Sequence, residues 1–217
     1  MARHEHDWRA WHRAYDAPGS RLARRLAVVQ RFIREALDRA PPGPIRVLSL
    51  CAGEGRDLFG VLTDHPRAAE ATGRLVELDA TLATRARAQA PPGIEVLQGD
   101  ASTTSACEGI APADLVLACG IFGNIVDDDI RNTVQKLPML CARDGTVIWT
   151  RHPHPPDRTV DIRRWLGEAG FEEVAFVRDE DGAFCVGAHR LTAPSRAFAP
   201  GVRLFRFFGA ANLPGRA

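Results

Sequence analysis

Ile45-Arg46-Val47-Leu48-Ser49-Leu50 runs straight into Cys51-Ala52-Gly53-Glu54-Gly55-Arg56-Asp57. The apolar run reads as a strand buried on both faces, because a strand with one wet face would alternate apolar and polar side chains. Ala40-Pro41-Pro42-Gly43-Pro44 breaks the chain just before it, and the glycines just after it form a turn. A helix follows to about His65, where Pro66 stops it. The same strand–turn–helix order recurs downstream. Strand 73–79 precedes helix 80–90, strand 94–98 precedes Gly99-Asp100 and a helix over 101–108, and strand 113–119 precedes a Gly/Phe-rich loop. A helix over about 128–141 leads to strand 145–150, and a helix over 158–169 follows. Such alternation implies parallel strands joined by right-handed crossovers, with helices on both faces. The runs 171–178 and 183–190 flank Asp179-Glu180-Asp181-Gly182, a hairpin turn that reverses the last strand.

Composition narrows the function classes. The chain has 217 residues, 45% hydrophobic and 25% charged, with a net charge of +1. These values describe one globular domain with short extensions, and they argue against a dedicated nucleic-acid binder. Lys136 is the only lysine, so the arginine content reads as high-GC coding. The basic stretch 21–39 alternates with Leu22, Leu26, Val29, Ile33 and Leu37 and is expected to be the solvated face of an amphipathic helix. The five cysteines are scattered, odd in number and without a CxxC pair, as expected for a reducing, cytoplasmic compartment. No apolar run approaches a membrane span. Residues 1–40 are expected to form a helical cap, 41–193 the core, and 194–217 a tail. The apolar tail run 202–208 would pack on the core or on a partner chain, giving a monomer or a homodimer.

In a doubly wound sheet a ligand sits beyond the carboxyl ends of the strands, beside the first strand. Gly53 and Gly55 lie there, and glycine lets backbone approach a ligand closely. The dinucleotide fingerprint G-x-G-x-x-G is incomplete, because Leu58 stands at its third glycine. Asp79 ends the second strand, where a carboxylate can accept from both ribose hydroxyls or cap the next helix. Glu77 shares that face deeper in the sheet, so Asp79 reaches the crevice first. Asp100 either accepts from an adenine amino group or caps helix 101–108.

Four motifs in order now resemble the class I S-adenosylmethionine-dependent methyltransferases. Residues 47–55 look like the glycine-rich first motif, 75–79 like the acidic second, Gly99-Asp100-Ala101 like the adenine turn, and 113–118 like the fourth strand. The resemblance covers about residues 45–190. It implies an α/β fold: a doubly wound, mostly parallel seven-stranded sheet with a terminal antiparallel hairpin, plus an N-terminal helical cap. It implies S-adenosyl-L-methionine as cofactor, leaving as S-adenosyl-L-homocysteine. Gly53 and Gly55 would lie against the methionine part, Asp79 on the ribose and Asp100 near the adenine. Ser49, Cys51, Ala52, Ala101, Cys119 and Gly120 complete the implied cofactor set. Ser49 stands where the family usually has an acid, and Cys51 replaces its first glycine.

On the acceptor side, the loop Cys119-Gly120-Ile121-Phe122-Gly123-Asn124 lacks the Asn/Asp-Pro-Pro-aromatic motif of relatives that methylate DNA bases or protein glutamine. Cys119 stands where metal-dependent relatives place a carboxylate, so no metal is expected. Asp127-Asp128-Asp129 reads as the acidic first turn of a helix. His152 and His12 are candidate general bases, and Asn124 a candidate for orienting the acceptor. The alternative for His152 is a surface histidine in the Pro-rich turn. Trp8, Trp11, Tyr15 and Phe122 are candidate acceptor contacts, although an aromatic stripe also packs on a body. The expected activity is metal-independent methyl transfer to a small molecule, with no nucleic-acid or membrane partner. Its alternatives are a catalytically silent partner subunit, motivated by Ser49 and Cys51, and a nicotinamide oxidoreductase.

Overall fold

The computed structural model describes residues 13–207. Trp8, Trp11 and His12 lie outside the described residues. The end of the expected N-terminal helix is a single 3-10 turn, Arg13–Asp16. Helix α1 (Arg21–Arg39) follows, capped by the Ser20 hydroxyl, which accepts from the Ala23 N–H at 3.1 Å.

Strands β1 (Ile45–Leu50), β2 (Ala71–Glu77), β3 (Ile94–Gln98), β4 (Ala113–Ala118) and β5 (Cys141–Arg151) alternate with helices. These are α2 (Arg56–Leu62), α3 (Ala80–Gln89), α4 (Asp127–Leu140) and α5 (Thr159–Glu168). Strands β6 (Phe171–Arg178) and β7 (Cys185–Leu191) end the sheet, whose order is β3-β2-β1-β4-β5-β7-β6. Only β7 runs against the others, inserted between β5 and β6.

β1 is central, and its side chains alternate between two cores. Val47, with Leu75, Leu115 and Leu117, packs against α1 through Val29, Phe32 and Ile33, and against Leu58 and Val61 of α2. Leu48 and Leu50, with Val116, Val147 and Trp149, pack against Ile130 and Val134 of α4 and Ile162 of α5. Each such side chain removed from water contributes about 1.5–3 kcal/mol, which is why the apolar run of β1 can only be a doubly covered strand.

The β5–β7 pairing is built around one large ring. Trp149 lies directly opposite Gly187, where an added Cβ would come within 2.5 Å of the indole. The absent side chain is therefore the space the indole occupies. The indole N–H donates to His189 Nδ1 at 3.3 Å. Burial drives the His189 pKa from 6.5 down to about 4, although Glu173 opposes that shift.

Several elements differ from the sequence reading. The expected helix over 101–108 is a 3-10 turn at Thr104–Cys107, because Thr104 is bonded to the distant tail. Its N–H donates to the Val202 carbonyl at 2.9 Å and its hydroxyl to the Ala199 carbonyl at 2.6 Å. Helix α2 ends at Leu62, and β2 spans 71–77, two residues earlier than expected. The tail crosses the carboxyl ends of the strands. Leu204 and Phe205 are fully buried in the core, and Phe207 pairs with Ile125.

The His189 environment has a pH consequence. Above about pH 6.5 the imidazole is neutral folded and unfolded, so its contribution is constant; below it the unfolded chain binds a proton that the folded chain refuses. Stability is expected to fall by about 1–2 kcal/mol between roughly pH 7 and pH 5 from this group. Urea unfolding of the wild type and of His189→Gln across that window checks this: the variant should lose that part of the slope.

Candidate functional site

One cavity of about 480 Å³ opens at the carboxyl ends of β1, β2, β4 and β5. Its floor is the turn between β1 and α2. Cys51 takes φ of +54°, Gly53 +59° and Gly55 +76°. Cys51 thus adopts the left-handed backbone that glycine reaches without strain, at a small conformational cost. The turn is braced by a buried carboxylate. Glu77 Oε2 accepts from the Gly53 N–H at 2.7 Å, and Oε1 accepts from the Asp79 N–H at 2.8 Å. Burial pushes the Glu77 pKa up, and these backbone donors pull it back down.

Two more acids line the same side of the cavity. Asp79 sits two residues beyond β2 as the cap of α3, its Oδ1 accepting from the Thr81 and Leu82 N–H groups. Asp100 likewise accepts from the Ser102 N–H at 2.8 Å. For Asp79 capping and a place on the cavity wall coexist, whereas Asp100, with no helix beginning at 101, closes a local turn while lining the same wall. Ala52, Gly99, Ala101, Cys119 and Gly120 also line the cavity.

The opposite wall comes from β4, β5 and α1. The Thr150 hydroxyl accepts from the Gly120 N–H at 2.8 Å, and the Asn124 side-chain amide donates to the Gly120 carbonyl at 2.7 Å. Asn124 therefore shapes its loop while facing the cavity. His152 stacks on His154 with ring centroids 5.0 Å apart and lies against Gly123, where a Cβ would come within 3.0 Å of the ring. Arg151, buried at the end of β5, donates to the carbonyls of Phe122 and Pro156. Burial pulls its pKa below the usual arginine value.

Tyr15 and Arg25 are joined by a side-chain hydrogen bond, and the guanidinium of Arg56 lies 5.5 Å from the Tyr15 ring centroid. Burial raises the Tyr15 pKa. Asp57 is also raised by burial, while Arg25 and a hydrogen bond with Cys119 pull it down. Glu54, an unwelcome neighbour for a pyrophosphate, is neutralised by Arg56 and Arg85, each at 2.8 Å.

The structure brings Tyr15, Cys51, Ala52, Gly53, Asp79, Asp100, Ala101, Cys119, Gly120, Asn124 and His152 to one cavity, and it leaves three expected residues out. Phe122 is fully buried against Trp149, 6.1 Å between centroids, because the apolar ring is better covered beneath the loop than in the cleft. Ser49 is buried within β1, away from the cavity wall. Gly55 caps α2, where an added Cβ would lie 2.4 Å from the Phe59 ring, so its role is packing. Leu22, Arg25, Asp57, Thr150, Arg151, Phe184 and Phe207 line the cavity without having been anticipated. Arg25 also corrects the expected solvated face of α1. It stands three residues after Leu22 and four before Val29, within the buried stripe, and that spacing was the available signal. Among the described residues no group of three His, Cys, Asp or Glu side chains is arranged to hold a metal ion.

No protein-family model and no curated protein sequence matches the chain. Solved structures do match. The magnesium protoporphyrin IX methyltransferase of Synechocystis PCC 6803, with bound S-adenosylmethionine, superposes with a TM-score of 0.63 at 13% identity over 84% of this chain and 90% of that one. This chain has the S-adenosylmethionine-dependent methyltransferase fold. An O-methyltransferase family protein from Burkholderia thailandensis matches that methyltransferase fold with a TM-score of 0.62 at 19% identity, over 87% of this chain. The chain spans 61% of that longer protein. An N-methyltransferase from Bradyrhizobium japonicum WM9, in complex with S-adenosylhomocysteine, matches with a TM-score of 0.59 at 12% identity, over 86% of this chain and 98% of that one.

Within this methyltransferase fold, Gly55→Ala is expected to destabilise the protein by about 1–3 kcal/mol, since the methyl would be forced onto Phe59 and Leu75 in a left-handed backbone. The midpoint of urea unfolding checks it.

Proposed function

We propose that the protein binds S-adenosyl-L-methionine in this cavity and transfers its methyl group to a small-molecule acceptor without a metal ion. The observation that carries the reading is the placement of Gly53, Asp79 and Asp100 along one wall of a single cavity at the topological switch point between β1 and β4. That donor set fits the cofactor. The Cys51–Gly53 backbone offers close approach for the methionine part, Asp79 a carboxylate for the ribose hydroxyls, and Asp100 with Ala101 the adenine end. Cys119 and Gly120 border the β4 side. The sulfonium supplies an activated methyl and its own leaving group.

The acceptor then lies over β4 and β5, on the far side of the glycine turn. Tyr15 and Phe184 offer apolar surface, and Asn124 holds the loop below it. For a hydroxyl or ammonium acceptor, His152 is the group that takes the proton. His12 lies outside the described residues. The neighbours are named for transfer to oxygen and to nitrogen, so the acceptor atom is a question for assay.

Calorimetric titration with S-adenosylmethionine, S-adenosylhomocysteine and NAD in parallel tests the cofactor. Binding of the first two alone is expected; binding of NAD alone would replace the reading with an oxidoreductase, and binding of none with a silent partner subunit. Asp79→Asn sharpens the test, because asparagine caps a helix as well as aspartate does. It is expected to leave the unfolding midpoint near that of the wild type and to weaken cofactor binding by about 1–3 kcal/mol. Unchanged affinity would remove Asp79 from the ribose site.

A further inference from the structure

The crossover from β3 to β4 carries only the 3-10 turn at Thr104–Cys107, and the tail packs over it. Leu204 and Phe205 share one core with Ala101, Ala106 and Cys107. The tail is pinned at two places along this path. On the β3 side the Leu204 N–H donates to the Ser102 carbonyl at 2.8 Å, and the Arg203 guanidinium donates to the Ser102 hydroxyl at 2.9 Å. On the α4 side the Arg206 N–H donates to Asp129 Oδ2 at 2.8 Å, and Phe207 pairs with Ile125.

Burial changes abruptly at the end of this strap. Leu204 and Phe205 are fully buried, whereas Phe207 is 42% exposed and lines the cavity. That exposure is more than main-chain atoms alone can supply, so part of the ring is bare. The ring is held nonetheless: its centroid lies 5.1 Å from that of Phe205, in an edge contact. Among the described residues four large apolar side chains are exposed, and two of them, Leu78 and Phe207, line this one cavity. An anchored apolar ring left in water forgoes the burial energy its neighbours gain, unless a ligand covers it.

We infer that the tail takes part in cofactor binding, with Phe207 covering one face of the adenine base. The inference rests on the S-adenosylmethionine reading of the cavity and adds to it a binding residue from outside the α/β core. Ser102, which holds the strap, directly follows Asp100 and Ala101, the adenine end in that reading. Phe207 stands three residues after Leu204, so its Cα is at most about 11 Å from that anchor. The acceptor wall is elsewhere: Phe184 packs in the core under α1 and Tyr15 is bonded to Arg25 of α1, whereas the tail packs in the core under α4. A purine has flat faces that stack on an aromatic ring and an amino edge that donates. Phe207 offers the ring, Asp100 a carboxylate, and Leu78, just beyond β2, further apolar cover.

Calorimetric titration of the full chain with S-adenosylhomocysteine and with S-ribosylhomocysteine, the same ligand without its base, tests this, the weaker ligand being read by competition. Phe207→Ala is expected to weaken S-adenosylhomocysteine about tenfold or more and to leave S-ribosylhomocysteine unchanged. Phe207→Tyr, which keeps the ring, should bind both as the wild type does. Phe207→Leu keeps apolar bulk beside Phe205 without a flat face, and should show the same base-dependent loss, smaller in size. Free adenosine is a second base-bearing probe and should lose affinity in Phe207→Ala by a similar factor. Unchanged affinity for S-adenosylhomocysteine in Phe207→Ala would overturn the proposal. So would an equal loss for both ligands, which is what a merely structural ring would give. Should Phe207→Ala fail to fold, Phe207→Leu and Phe207→Tyr decide it by the same comparison. Failure of S-adenosylhomocysteine to bind the wild type would remove the cofactor reading and this proposal with it, whereas tight binding indifferent to Phe207 would remove the role of the tail alone.

Discussion

Glu77 accepts from the backbone N–H of Gly53 and of Asp79 at the same time, and this pair of bonds couples the β1 turn to the β2 turn. The Gly99 N–H adds a third link by donating to the Glu77 main-chain carbonyl at 3.0 Å. Three turns that share a cavity wall are therefore registered against one another through a single residue at the end of β2. The constraint needs a carboxylate, because a neutral side chain of that length would present one acceptor where two oxygens are used. Burial raises the pKa of this carboxyl, and the converging N–H dipoles of Asp79 and Gly53 oppose that shift by favouring the charged acceptor. Asp79 is then free of the strand ladder and able to cap α3, so the geometry of the second acidic position depends on the first.

A second dependence runs from α1. Its apolar stripe, Leu22, Val29, Phe32, Ile33 and Leu37, docks on the sheet. Because Arg25 occupies the same stripe, docking carries its guanidinium toward Tyr15 and Asp57. Asp57 in turn reaches Cys119 at the end of β4. The packing that stabilises the helix thus also sets the polar wall of the cavity, and a helix anchored by about five large apolar side chains can support a buried guanidinium at one end.

Much of this was legible from residue order alone, and the reasons differ by element. β1 was readable because double-sided burial demands an uninterrupted apolar run, and the glycine turn because left-handed backbone selects small residues. The acid positions followed from strand-end spacing, although the structure moves Asp79 off the strand. The turn at Thr104–Cys107 was not readable, since Ala199 and Val202, which hold it, are nearly a hundred residues away. Phe122 was misread because an aromatic in a loop beside a cleft has two apolar places to go, and only packing against Trp149 decides between them. Arg151 was missed because a strand that reads Val147-Ile148-Trp149-Thr150 gives no hint that the next residue remains buried.

Net charge hides the feature that most distinguishes the cavity. A formal balance of +1 over 217 residues implies no strong preference for charged ligands, yet one cavity collects Glu77, Asp79 and Asp100 from the ends of β2 and β3, Arg21, Arg25 and Arg151 from α1 and β5, and Glu54, Arg56 and Asp57 from the turn and helix that follow β1. The arrangement follows from the topology. The sheet order reverses between β1 and β4, so residues ending β2 and β3 reach the cavity from one side and residues ending β4 and β5 from the other. Opposite charges kept apart in this way do not quench each other as surface ion pairs do; Glu54, held between Arg56 and Arg85, shows the quenched arrangement in the same molecule. A cavity with segregated charge orients a ligand that is itself charged at separate points. Two ligands of opposite local charge, laid side by side across the β1–β4 boundary, would each meet the wall that complements it.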